Sequence, residues 1–215
     1  MKDILLFVIA ICVGLFLTAG YVTFIKKSPV FPVPNLQTIF RASNFSLEKA
    51  PGESLVGKIT KMSGDVLWQS RVATDSSKLT SLIDIQQGEN LTTNKESSAV
   101  VVFDKNLEID IGEKSAVEFV QTLPVNIVLV QGSGVVEYKK LGGFPVSIRA
   151  LHLLIENGGD VKVSLDDKKP IATVAVVSGS VTFSYNNTDN VTSVTTIAAG
   201  KKLIFNDDTR RALVE

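Results

Sequence analysis

From Leu55 onward, apolar and polar residues alternate with a period of two, and this pattern constrains the fold more than any other feature of the sequence. Such alternation places every second side chain on one face of a β-strand. The alternating segments are short, recur about every 8–12 residues, and are separated by clusters of Gly, Asn, Asp and Ser. No segment after Ser54 shows the periodicity of an amphipathic helix. We therefore predict an all-β domain over residues 55–215.

The turn segments between the predicted strands are rich in glycine. We expect the first two strands to form a hairpin around Ser63-Gly64-Asp65. Gly132-Ser133-Gly134 is also interpreted as a hairpin turn, because it lacks the third glycine and the following helix of a phosphate-binding loop. The predicted strands are 56–62, 66–69, 99–103, 107–111, 117–120, 126–130, 135–138, 146–155, 160–165, 171–177, 180–185, 191–197 and 201–205.

Residues 4–25 carry no charge, and a helix of about 22 residues would span roughly 33 Å, which matches the hydrocarbon core of a membrane. We predict an N-terminal transmembrane α-helix within residues 1–27. A cleaved signal peptide is the alternative, since Thr18-Ala19-Gly20 offers small residues for cleavage. The apolar run continues beyond them to Ile25 and favours an uncleaved anchor.

Ala10, Gly14 and Thr18 lie four residues apart on the predicted helix and would let another helix approach closely. They form a candidate helix-packing face through which the chain could form a homo-oligomer. Residues 28–54 include Pro29, Pro32 and Pro34 and predict a stiff linker or stalk.

The positively charged residues at the two ends of the predicted helix are nearly balanced, so the strand-rich remainder decides the expected orientation. We expect a single-pass protein of the cell membrane, with Met1-Lys2-Asp3 in the cytoplasm and the β domain outside it, in the periplasm or at the cell exterior. Three residues are too few for a cytoplasmic signalling domain.

The charge balance and the scarcity of Cys and His exclude several functions. The chain has 22 basic and 22 acidic residues, one Cys and one His. A balanced chain does not provide the cationic surface that nucleic acids require. One Cys and one His cannot form a Cys/His metal site. We expect no catalytic residues, no metal and no cofactor, and therefore not an enzyme.

Three features have residue types that occur in functional sites, but we interpret each of them as structural. His152 lies in an apolar stretch, where alternation places it on the same face as Ile148, Ala150 and Leu154, and it has no Ser or Cys partner motif. Trp68 is expected to face the core. The acidic pairs at 166–167 and 207–208 lack the spacing of a calcium loop and are expected to be charged turns.

An ordered series of Gly, Val and Ser motifs runs through most of residues 55–205. It includes Gly88-Glu89-Asn90-Leu91-Thr92-Thr93, which matches the pattern G-(D/E)-x-(L/I)-x-T. The other matching segments are Gly57-x-Ile59, Gly64-x-Val66, and residues 96–104, 107–111, 113–117, 175–183 and 197–203. In this order the motifs resemble the FecR domain of bacterial membrane-anchored proteins.

The resemblance implies a short-strand β-solenoid-like fold or a twisted β-sandwich, either as one domain or as subdomains 55–140 and 144–215. The absence of a catalytic constellation predicts a protein-binding or scaffold module in the bacterial cell envelope, whose partner is another envelope or membrane protein. The resemblance implies one alternative, a FecR-type transmembrane regulator of a sigma factor that lacks its own cytoplasmic domain. A module that binds cell wall or glycan is a further alternative.

Overall fold

The structure, a computed structural model, describes residues 49–215. The predicted membrane helix, its packing face of Ala10, Gly14 and Thr18, and most of the predicted linker lie outside the described residues. Over the described part, no helix has the length and apolar character needed to cross a membrane. The strands are β1 Gly57–Ser63, β2 Val66–Gln69, β3 Ser77–Lys78, β4 Asp84–Ile85, β5 Asn90–Thr93, β6 Ser98–Phe103, β7 Leu107–Ile111, β8 Ala116–Leu123, β9 Asn126–Ser133, β10 Val135–Lys140, β11 Val146–Ala150, β12 Leu153–Glu156, β13 Val161–Leu165, β14 Ile171–Val176, β15 Ser180–Asn186, β16 Thr192–Ala198, β17 Lys202–Asn206 and β18 Arg211–Val214.

The strands form two nine-stranded sheets, which confirms the predicted all-β class. The first sheet has the order β18-β17-β14-β13-β10-β7-β6-β1-β4, and the second has the order β16-β15-β12-β11-β9-β8-β5-β2-β3. From β5 onward the chain adds strands to the two sheets in turn and advances along both. The two-layer arrangement is therefore that of a β-sandwich. The order in which the chain adds strands, step by step along both sheets, resembles a β-solenoid.

The core lies between the two sheets and follows directly from the alternation. In β6, Ala99, Val101 and Phe103 are buried and the residues between them are only half-buried. Phe103 of the first sheet packs against Phe119 of the second, with ring centroids 5.7 Å apart. Burying each such side chain contributes about 1.5–3 kcal/mol to stability, so the apolar residues of both sheets hold the layers together.

The predicted hairpins at Ser63-Gly64-Asp65 and Gly132-Ser133-Gly134 are wrong. Each segment carries the chain from one sheet to the other, since β1 and β10 belong to the first sheet and β2 and β9 to the second. Alternation specifies which face of a strand is buried, but it does not specify which strand becomes the neighbour. A turn between two strands can therefore be a hairpin or a corner with the same local sequence.

The corners at Gly64 and Gly134 are built in the same way. Each glycine has a positive φ, +76° at Gly64 and +72° at Gly134, which L-residues with a side chain rarely adopt. After Gly64, the Asp65 amide donates to Ser97 Oγ at 2.8 Å. After Gly134, the next amide, that of Val135, donates to Ser115 Oγ at 2.9 Å. A serine on the neighbouring corner thus satisfies a backbone donor that no strand ladder can reach.

Two further expectations are corrected by the observed elements. The predicted strand at 146–155 is two strands, β11 and β12, joined by a tight turn at Leu151 and His152, where Leu151 has φ 57°. The FecR-like segment from Gly88 to Thr93 lies outside the predicted strands, but it contains strand β5, which pairs with β2 and β8.

Candidate functional site

The chain path changes at β10. Elsewhere neighbouring strands are antiparallel, but β9 and β11 run parallel, with Ile127 opposite Val146. The cause is that the chain forms a single strand, β10, in the first sheet after β9 and before β11. Strand β11 therefore enters the second sheet in the same direction as β9. The loop 141–145 makes this return, and it leaves the first residues of two parallel strands side by side.

A cleft of about 450 Å³ lies at this point. We call it the crossover cleft. It is formed by the turn before β9, the loop after β10, the start of β11 and the corner after β12. Its walls include Val125, Asn126, Lys140, Pro145, Ser147, Glu156 and Asn157.

The polar groups of the crossover cleft offer both hydrogen-bond donors and acceptors. Asn126 Nδ2 donates to Ser147 Oγ across the two parallel strands at 3.2 Å. Lys140 Nζ donates to the Asn157 carbonyl at 3.0 Å, which ties β10 to the corner after β12. Glu156 is exposed at the end of β12. The charged groups on the walls are thus one cation and one anion, and the cleft has no strong field of one sign.

The rim of the crossover cleft is apolar and solvent-exposed. Val125 is 74% exposed. Pro145, in the loop 141–145, is also exposed. Exposed apolar side chains grouped beside polar ones are typical of a contact surface for another molecule.

His152 is not on the face predicted from alternation. It lies in the turn between β11 and β12, and its side chain is 62% exposed. Its Nδ1 lies 2.9 Å from both carboxylate oxygens of Asp207, and Arg210 Nε lies 3.6 Å from Asp207 Oδ1. This group joins the β11–β12 turn to the β17–β18 turn. Across residues 49–215, no three His, Cys, Asp or Glu side chains are grouped to hold a metal ion.

Trp68 packs against the core, and its Nε1 donates to Glu89 Oε2 at 3.0 Å. Glu89 is buried, and the same oxygen also accepts from the Gln86 amide at 2.8 Å. Asp166 lies in the β13–β14 turn, where backbone amides of Lys168 and Lys169 donate to its Oδ1 at 2.8 and 3.0 Å. These two bonds lower the pKa of the Asp166 carboxyl.

The sequence did not reveal the crossover cleft. Its walls come from four separate segments, and none of them carries a recognisable motif. The only local signal is the turn-rich, partly apolar loop 141–145. The parallel pairing that brings the segments together is visible only in the sheet order.

No family model matches the sequence, and no curated protein does. Two crystal structures of a candidate anti-sigma factor from Parabacteroides distasonis are similar to this structure. Each superposes with a TM-score of 0.50 at 13% sequence identity, covering 59% of this chain and 58% of that one. The two share a fold. At this identity the likeness supports the FecR resemblance only at the level of the fold, and the match spans little more than half of either protein.

Proposed function

We propose that this chain is a membrane-anchored FecR-like module, placed outside the cytoplasm, that binds another protein of the bacterial cell envelope and performs no catalysis. The observation that carries the proposal is the crossover cleft, where the exposed apolar side chains of Val125 and Pro145 lie with hydrogen-bond donors and acceptors on the same walls.

The chemistry of the crossover cleft indicates the kind of partner. Asn126 and Ser147 can exchange their mutual hydrogen bond for bonds to a peptide backbone, which has one donor and one acceptor per residue. Val125 and Pro145 would be covered by an apolar side chain of the same segment. Charge contributes little, because the chain beyond Ile25 has 21 basic and 21 acidic residues, each being 22 less one. An extended, uncharged segment of an envelope protein fits these features.

A FecR-type signalling role is the second candidate, favoured by the fold shared with a candidate anti-sigma factor. In that role the segment bound in the crossover cleft would belong to the sensor that reports the external signal. The glycan alternative has less support, because it needs exposed aromatic rings. Trp68 and Tyr185 pack against the core, and Tyr138 is fully buried.

Site-specific photocrosslinking in intact cells tests the proposal. A photoreactive amino acid replaces Val125 in the full-length chain. A matched control chain carries it at Val72, which is 55% exposed and lies in the loop between β2 and β3, at one end of the second sheet and away from the cleft. We expect a discrete protein adduct from position 125 and none from position 72. Pro145→Asp should abolish the adduct, because it adds a charge to the apolar rim of the cleft.

Equal adducts from both positions, or an adduct that survives Pro145→Asp, would contradict binding at the crossover cleft. An adduct that contains cell-wall glycan in place of protein would support the glycan alternative. Identification of the crosslinked protein as a signal receptor would select the signalling role over the scaffold role.

A further inference from the structure

Strand β16 is an unusually open sheet edge. It has seven residues, Thr192–Ala198, and within residues 49–215 it pairs with β15 alone. Residues 191–199 include no charged side chain and no proline. Proteins normally protect sheet edges with short strands, charges or proline, because an open edge can pair with another strand.

The other three edges of the two sheets are protected in these ways. Strands β3 and β4 have two residues each and carry Lys78 and Asp84 respectively. Strand β18 has four residues, begins with Arg211, and is followed by an ion pair of 2.7 Å between Lys202 and Glu215. Among the four sheet edges that the described part of the chain forms, β16 alone is both long and uncharged.

The backbone hydrogen bonds show which groups of β16 point away from β15. At one end the Val191 carbonyl accepts from the Asn187 amide at 3.0 Å, and at the other the Ala199 amide donates to the Gly179 carbonyl at 3.0 Å. Because antiparallel bonding alternates along a strand, the odd-numbered residues between them face β15. The amides and carbonyls of the even-numbered residues therefore face outward, and these are Thr192, Val194, Thr196 and Ala198.

We propose that β16 pairs antiparallel with β16 of a second copy of this chain, about a two-fold axis at Thr195. In this register Thr192 lies opposite Ala198 and Val194 opposite Thr196 of the second copy. Both members of every such pair have outward-facing groups, and each pair can exchange two hydrogen bonds. The edge is thus complementary to itself, which is what a two-fold interface requires.

The charge pattern around β16 favours a second copy over an unrelated strand. The uncharged stretch 191–199 is symmetric about Thr195, and the nearest charged residues on its two sides are Asp189 and Lys201. Both are exposed. Antiparallel pairing about Thr195 brings Asp189 of one copy to the end of the strand where the second copy has Lys201. No like charges meet, and opposite charges flank both ends.

Pairing in this register also places the two Thr195 residues directly opposite each other, with Cα atoms about 4.5 Å apart as in a non-hydrogen-bonded antiparallel pair. That spacing permits a disulfide between cysteines at position 195. Two cysteines at position 192 would be separated by about six residues of strand, or roughly 20 Å, and could not join. The pair of variants tests the register as well as the contact.

The experiment uses the full-length chain in native membranes, with Cys12→Ala to remove its only natural thiol. Under mild oxidation, Thr195→Cys should give a covalent dimer of this chain, and Thr192→Cys should give less than about a tenth as much. In detergent solution, Thr195→Lys should raise the dimer dissociation constant about fivefold or more, because like charges meet on the axis. Val72→Lys, which adds the same charge in the loop between β2 and β3 at the opposite end of the second sheet, should leave that constant unchanged.

Several results would overturn the pairing. These are equal crosslinking at positions 192 and 195, crosslinking at neither, or a disulfide from position 195 to a different protein. A dimer that is unaffected by Thr195→Lys but lost on Gly14→Leu would place self-association in the predicted membrane helix instead.

Discussion

Replacing Gly134 by alanine should destabilise the protein strongly, because two separate effects add at that corner. The residue has φ +72°, and an L-residue with a Cβ is strained there by about 1–2 kcal/mol. A Cβ at this position would also meet Ser115 Oγ, and would lie 2.6 Å from the Lys114 carbonyl oxygen. Overpacking of that kind costs about 1–3 kcal/mol. After a small gain from a less flexible unfolded chain, we expect a net loss of about 2–4 kcal/mol.

Two other glycines separate the contributions. Gly200 has φ +83° and nothing within 4 Å of an added Cβ, so Gly200→Ala should cost only the strain, about 1 kcal/mol. Gly143 also has open space but no positive φ, so Gly143→Ala should be neutral or stabilise by up to about 1 kcal/mol. From most to least stable, the expected order is therefore Gly143→Ala, wild type, Gly200→Ala and Gly134→Ala.

Urea unfolding of the full-length chain in mild detergent measures this series, with fluorescence of the single tryptophan, Trp68, as the probe. For a chain of this size, each 1 kcal/mol should also move the Tm by about 2–4 °C. Equal losses for Gly134→Ala and Gly200→Ala would refute the argument, because they would show that the neighbouring corner moves aside without cost.

Three further predictions use other polar contacts. Ser97→Ala and Ser115→Ala should each lower the free energy of unfolding by about 1–3 kcal/mol, since each leaves a corner amide without an acceptor. Urea unfolding measures both, with Ser76→Ala as an exposed control, and equal stability of all three variants would contradict the prediction. Tyr138→Phe removes the hydroxyl that donates to Gln131 Oε1 at 3.2 Å, so the Tm should fall by several degrees, and an unchanged Tm would mean that Gln131 finds another donor. The pKa of Asp166, measured by NMR titration, should lie below its usual value of about 3.8. The ionised carboxylate therefore stabilises the fold above that pH, and its contribution is lost as the pH falls through the lowered pKa. Asp166→Asn should remove that part of the dependence of stability on acid pH.

The sequence predicted most strands because alternation is a local property. Residues 107–111 alternate Leu, Glu, Ile, Asp and Ile, and the structure has β7 at those residues with the three apolar side chains buried. The Asp104-Lys105-Asn106 turn is likewise a hairpin between β6 and β7. The same rule gave a wrong prediction at 146–155, where the alternation continues through a tight turn. That turn requires a positive φ at Leu151, which is rare for leucine and cannot be recognised from the sequence.

The candidate sites were less predictable because they depend on which strands become neighbours. Any strand can offer its backbone groups to any other, so the choice is made by packing across the whole sandwich. The parallel pairing of β9 and β11, and with it the crossover cleft, arises from the single passage of β10 through the first sheet. The open edge at β16 likewise exists only because no later strand pairs with it.

By itself, then, the sequence determined the all-β class, the positions of most turns and the residues that face the core, because each of these follows from the period of a strand and the conformational freedom of single residues. The tertiary structure decided which turns are hairpins and which are corners, which strands run parallel and which edge stays open. These features depend on backbone hydrogen bonds between residues far apart in the chain. Main-chain groups form these bonds, so they leave no pattern in the identities of the side chains.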